Sequence, residues 1–223
     1  MKNNKNSIVV IAAIAIVAIA GIMAFAINRT GNNAAMDNNM MGESSNTLNA
    51  QADKNSADYK QYAALKGQEY DQMFLANMTM HHQGAIEMAN LALTNASHQE
   101  IKTLASAIIA AQTSEITNMT AWQKTWGYPA SSGTMMTDHS SMNMENTNIG
   151  TMNELNGKTG EAFDKAFLGQ MIMHHQSAIN MAATGVTNAQ HQAVKDLTVA
   201  IVTAQTKELL QMKQWQKSWG YVN

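Results

Sequence analysis

Met78-Thr79-Met80-His81-His82-Gln83 returns as Met171-Ile172-Met173-His174-His175-Gln176, 93 positions later. The offset holds without a gap. Asp71 maps to Asp164, Phe74 to Phe167, Met88 to Met181 and His98 to His191. Further along, Gln112 maps to Gln205, Glu115 to Glu208, Met119 to Met212 and Trp122 to Trp215. Each copy closes on the same tripeptide, Trp126-Gly127-Tyr128 and Trp219-Gly220-Tyr221. A duplicated unit must be read as one structural module used twice.

Around the motif the apolar residues keep a helical period. Phe74, Leu75, Met78, Ala85, Ile86, Ala89 and Leu93 recur at threes and fours. Thr94-Asn95-Ala96-Ser97 interrupts the pattern, and Ser97 with Glu100 has the spacing of a capping box. A second stripe follows through Ile101, Leu104, Ala105, Ile108, Met119 and Trp122. The other copy repeats it with Phe167, Leu168, Met171, Ile179 and Ala182, then Val194, Leu197, Ile201, Met212 and Trp215. Each copy is thus a helical hairpin with one apolar stripe per helix. A lone hairpin leaves those stripes uncovered, so the two are expected to pack as an all-α four-helix bundle.

The flanking sequence sets the remaining boundaries. Lys2 and Lys5 precede an apolar run from Ile8 to Ile27. The run is long enough to span a bilayer, although Ala24-Phe25-Ala26 also suits signal cleavage. Residues 1–29 are therefore expected to be a membrane anchor, slightly favoured, or a cleaved signal. Either delivers the rest outside the cytoplasm. Residues 30–57 read as a polar tether, 58–128 as the first hairpin, 129–150 as a linker and 151–223 as the second hairpin.

Composition excludes several functions. A net charge of -2 offers no basic face for nucleic acid. No cysteine is present, which removes disulfides and thiolate ligands. No nucleophile-base pair or nucleotide-binding loop appears, so an enzyme is not expected. The 19 methionines outnumber the leucines and call for a reason beyond packing.

That reason is metal chemistry. On a helical wheel Met78 lies mid-stripe with His81 and His82 on either side, and Asp71 points the same way. With the turn centred near Ala96, Met78 comes level with about Glu115, and His82 falls within a turn of Gln112. Met78, His81, His82, Gln112, Glu115 and Met119 then form one layer, and Met171, His174, His175, Gln205, Glu208 and Met212 its image. One methionine at helical spacing usually fills a core. A His-His pair beside a stripe methionine, present twice and facing an inward carboxylate, is harder to treat as packing. His98 and His191 fall outside the layer, at helix starts or on the surface. Trp122 and Trp126 are expected to pack the bundle end.

Met135, Met136, His139, Met142 and Met144 lie among Ser, Thr, Asn and Asp in the linker, with no core to fill. Met36, Met40 and Met41 lie similarly in the tether. Calcium and magnesium prefer oxygen, zinc would leave the methionines idle, and no Glu-x-x-His of the di-iron type occurs in either copy. Copper fits the donors, as Cu(I) through Met and His, with Cu(II) open to the imidazoles and Glu115.

At these residues the chain resembles a bacterial family of unknown function, domain-of-unknown-function family three hundred and five. The matching positions are Asp71, Phe74, Met78, His81, His82, Ala85, Ile86, Met88 and Ala89, then Glu115, Ile116, Met119 and Trp122. The second copy matches from Asp164 to Met181 and at Glu208, Met212 and Trp215, with Leu209 replacing Ile116. The resemblance implies a ferritin-like four-helix bundle and kinship with a cyanobacterial periplasmic copper binder involved in copper resistance. Carried over by motif, it implies Met78, His81, His82, Met171, His174 and His175 as ligands. Glu115, Glu208, Met119 and Met212 are second choices, and the linker methionines and His139 are auxiliary. The expected function is an exported protein that sequesters copper or hands it on, with copper-transport or resistance proteins as partners. A ferritin-like oxidase of Cu(I) or Fe(II) and a metal-free structural protein remain the alternatives.

Overall fold

The computed structural model describes residues 52–129 and 152–222. Six helices are named along them: α1 (Ala57–Ala64), α2 (Gln68–Asn95), α3 (Gln99–Trp126), α4 (Gly160–Ala182), α5 (Gly185–Asn188) and α6 (Gln192–Ser218). The Ser56 hydroxyl opens α1 by accepting from the Tyr59 N–H, satisfying one of the helix's free donors. Gly127 closes α3 in the left-handed conformation, where a Cβ would be strained, and the Tyr128 N–H returns to the Gln123 carbonyl.

α2 with α3 and α4 with α6 make the two hairpins, and α2 packs against α4. The turn of each hairpin is tied to the start of the other. Gly67 bridges Ala189, and Ala96 bridges Gly160. Since 67 and 96 flank α2 while 160 and 189 flank the α4–α5 stretch, α2 and α4 run antiparallel. The apolar interior forms two clusters, and both draw on both hairpins. One gathers Tyr62, Tyr70, Phe74 and Met78 with Ile179, Val194 and Ile201. The other gathers Phe163, Phe167 and Met171 with Met88, Ile101 and Ile108. The four-helix bundle expected from the repeat is therefore present, and neither hairpin holds a core of its own.

Two local readings need correction. Ser97 and Glu100 form no capping box: the N-cap of α3 is His98, and no side chain of its own helix caps it. The N–H groups of Ser97 and His98 instead donate to the Asp164 carboxylate of the other hairpin. Counting equidistantly from the turn does not give the pairing that forms: His82 meets Glu115, one turn along α3 from Gln112. Met78 then pairs with the level of Met119, whose sulfur lies 4.0 Å from the Thr79 hydroxyl.

The second copy also breaks its first helix where the first copy does not. α4 ends at Ala182 and resumes as the single turn α5, while α2 runs unbroken to Asn95. α1 docks at that break. The Asn188 amide donates to the Tyr62 and Ala63 carbonyls, and the Thr184 hydroxyl donates to the Tyr62 carbonyl. Among the described residues no helix is long and apolar enough to cross a membrane. The apolar run from Ile8 to Ile27, the tether methionines, and the linker group Met135, Met136, His139, Met142 and Met144 lie outside the described residues.

Candidate metal centre

α2 and α4 cross at their histidine pairs. The rings of His81 and His174, equivalent residues of the two copies, face each other with centroids 3.6 Å apart. Such a self-contact places them on the pseudo-twofold axis between the hairpins. His82 and His175 turn outward towards α3 and α6. There His82 Nε2 lies 2.6 Å from Glu115 Oε2, and His175 Nε2 lies 2.7 Å from Glu208 Oε2.

All four imidazoles are buried, as are Met78, Met119, Met171 and Met212. Met78 and Met119 share the first core cluster, Met171 and Met212 the second, and the partly buried Ile172 packs against both. Glu115 and Glu208 depart from the expected inward placement. Their side chains are 22% and 25% exposed, so these carboxylates keep contact with water and avoid most of the cost of burial.

The layer is polar but poorly paired. Both ring nitrogens of His81 and of His174 are buried without a hydrogen-bond partner, as are Nδ1 of His82 and of His175. Oε1 of the buried Gln112 and Gln205 is in the same state. Each such group costs about 1–3 kcal/mol when left unsatisfied. The set is the same atom for atom in the two copies. Burial, then the surrounding imidazoles, hold His81 and His174 well below the ordinary histidine range. Both rings are therefore neutral at physiological pH, the form that offers a lone pair.

Unpaired imidazole nitrogens beside buried thioethers suit a soft metal ion. Among the described residues no three His, Cys, Asp or Glu side chains converge as a ready cage. The donor set that does fit draws on thioethers as well as imidazoles. Gln112 and Gln205 are buried as expected, whereas Asp71 and Asp164 are engaged elsewhere.

Those two aspartates, with His98 and His191, form a construction that the sequence reading missed. Asp71 accepts from the Gln190 and His191 N–H groups and from His191 Nδ1, all in the opposite hairpin. Asp164 accepts from Ser97 and His98 in the same way. Trp126 stacks on His191 at 3.7 Å and Trp219 on His98 at 3.8 Å. The signal lay in the repeat itself: both copies keep an aspartate and a histidine that the metal layer does not use.

A bundle of two duplicated hairpins closing on buried His-His and Met pairs defines the class. The family model "Domain of unknown function (DUF305)" matches residues 20–90 and 71–216, and the chain belongs to that family. Among solved structures, it is similar to CopM in a Cu(I)-bound form, at 37% identity over 67% of this chain and 96% of that one, with TM-score 0.55. The Cu(II)-bound form of CopM matches at 38% identity over 70% and 99%, with TM-score 0.57. A DUF305 protein from Streptomyces coelicolor shares the fold at 24% identity over 68% and 94%, with TM-score 0.59. No curated protein sequence matches.

Proposed function

We propose that this protein binds copper outside the cytoplasm and sequesters it or hands it on, acting as a binder rather than a catalyst. The observation that carries the reading is the duplicated set of buried, unpartnered imidazole nitrogens beside buried thioethers. CopM, similar along most of its length, has been solved with Cu(I) and Cu(II) bound, which supports the same cargo here. Met78, His81 and His82 with Met171, His174 and His175 are the proposed ligands, and Met119 and Met212, which share a core cluster with Met78 and with Met171, are further candidates. Imidazole and thioether donors favour soft monovalent copper over divalent hard ions. Proposed partners are copper-transport or resistance proteins that exchange the ion. The N-terminal run from Ile8 to Ile27 would keep the protein at the outer face of the membrane if uncleaved.

The test is an anaerobic Cu(I) titration of residues 30–223 against a chromophoric competitor. A variant with Met78, His81, His82 and their repeat partners changed to alanine runs beside it. Stoichiometric binding that the variant loses supports the bundle site. Binding that survives moves the copper to the Met-rich linker, and no binding in either protein leaves the structural alternative. Oxygen uptake on adding Cu(I) or Fe(II) would turn the reading to an oxidase.

A further inference from the structure

Resting on the copper reading, we infer that Glu115 and Glu208 are positioning residues, each fixing one tautomer of a ligand histidine and leaving its Nδ1 to the metal. The same atoms meet in both copies: Oε2 of the glutamate on Nε2 of the histidine, at 2.6 and 2.7 Å. A carboxylate only accepts, so the imidazole donates through Nε2–H. Nδ1, the other nitrogen, is buried with no hydrogen-bond partner in either copy. In the ring that donates through Nε2–H it is a bare lone pair, the form a metal uses.

A ring held at one nitrogen by a carboxylate, with the other nitrogen bare in a dry interior, is how ligand histidines are commonly oriented. The hydrogen bond also places more electron density on the donor nitrogen. The exposure of the glutamates fits this role. Each carboxylate keeps one face in water while its partner ring is wholly buried. His81 and His174 have no such anchor, since neither nitrogen of either ring is bonded. The four imidazoles thus divide into two held rings and two free ones. The free pair meets on the axis.

Silver(I) tests this without redox chemistry, because its nuclear spin splits the resonance of a nitrogen bound to it. The protein is prepared with isotopically labelled nitrogen, and long-range proton–nitrogen spectra are recorded before and after silver. Before silver, His82 and His175 should show the Nε2–H tautomer. After silver, their splitting should appear on Nδ1. In a Glu115→Gln, Glu208→Gln variant the tautomers should mix, and silver affinity should fall about tenfold to a hundredfold. Splitting on Nε2, or unchanged affinity in a folded variant, would overturn the assignment, and the parent's spectra decide it even where the variant fails to fold. Silver held with no imidazole splitting sinks this inference alone. No silver or Cu(I) uptake at all sinks the copper reading with it.

Discussion

Asp71 Oδ2 lies 2.7 Å from Nδ1 of His191, and the two residues belong to different hairpins. Asp164 and His98 make the reciprocal contact at 2.6 Å. Each hairpin therefore supplies the anion that caps the other's second helix, and each capped histidine lies flat on a tryptophan of its partner hairpin. The bundle is held shut at both ends by contacts that exist only when the two copies are assembled.

Removing one carboxylate leaves two helix-start N–H groups and an imidazole without their acceptor. Asp71→Ala should lower unfolding stability by about 2–4 kcal/mol, combining a lost cap with lost charged hydrogen bonds. Chemical denaturation reads the loss. Tryptophan emission should shift as His191 leaves Trp126. Asp164→Ala should behave alike, and silver affinity should hold in both, because neither aspartate touches the histidine layer. A silent Asp71→Ala would show that the caps are incidental.

The metal-free protein should weaken in mild acid. His81 and His174 have folded pKa values well below the ordinary one, from burial first and neighbouring imidazoles second. The unfolded chain therefore takes up protons that the folded one refuses. Stability is complete above the unfolded value of about 6.5 and falls as pH drops below it, by up to about 1.4 kcal/mol per pH unit for each ring. His81→Leu with His174→Leu should flatten that slope. At pH 8 it should leave stability equal or higher, since it removes polar groups that have no partners. Unfolding measured at pH 5 to 8 checks both. A large loss at pH 8 would favour histidines kept for packing.

The fold was legible in the duplicated stripe, and so was the burial of the histidine pairs. Helical period placed Met78, His81 and His82 inward, and the repeat supplied their images. Periodicity along one chain says nothing about contacts between hairpins, however. The axis pair His81–His174 and the exchange of Asp71 and Asp164 therefore stayed hidden. The misread cap has the same origin. The Ser97–Glu100 spacing resembled a local cap, whereas a distant carboxylate sets the turn. Glu115 was read as buried because a helical wheel cannot separate the edge of a stripe from its centre.

A packing difference between the copies gives a reciprocal test. A methyl group on Gly185 would come within 2.3–2.6 Å of the Thr198 side chain, which is buried and cannot withdraw. The equivalent pair in the first copy is Ala92 and Ala105, two small residues. Gly185→Ala should therefore cost about 1–3 kcal/mol by overpacking. Adding Thr198→Ala recreates the first copy's pair and should recover most of that loss. Thermal unfolding of the single and double variants measures the coupling. If the two effects simply add, the contact does not decide the choice of glycine.

The thioethers can be separated from the imidazoles by size-matched exchange. Leucine replaces methionine in a core at less than about 1.5 kcal/mol, so Met78→Leu with Met171→Leu should still fold. Both sulfurs are wholly buried and reach the interior from opposite core clusters. Soft Cu(I) should lose a donor from each copy, and its affinity should fall about tenfold or more, at least roughly 1.4 kcal/mol of binding free energy. Cu(II) relies on imidazole and oxygen donors and should hold its affinity within about threefold. Competition titrations of both ions on the same preparation give the comparison. Equal losses for the two ions would point to a distorted layer, and no loss for either would make the methionines core filler.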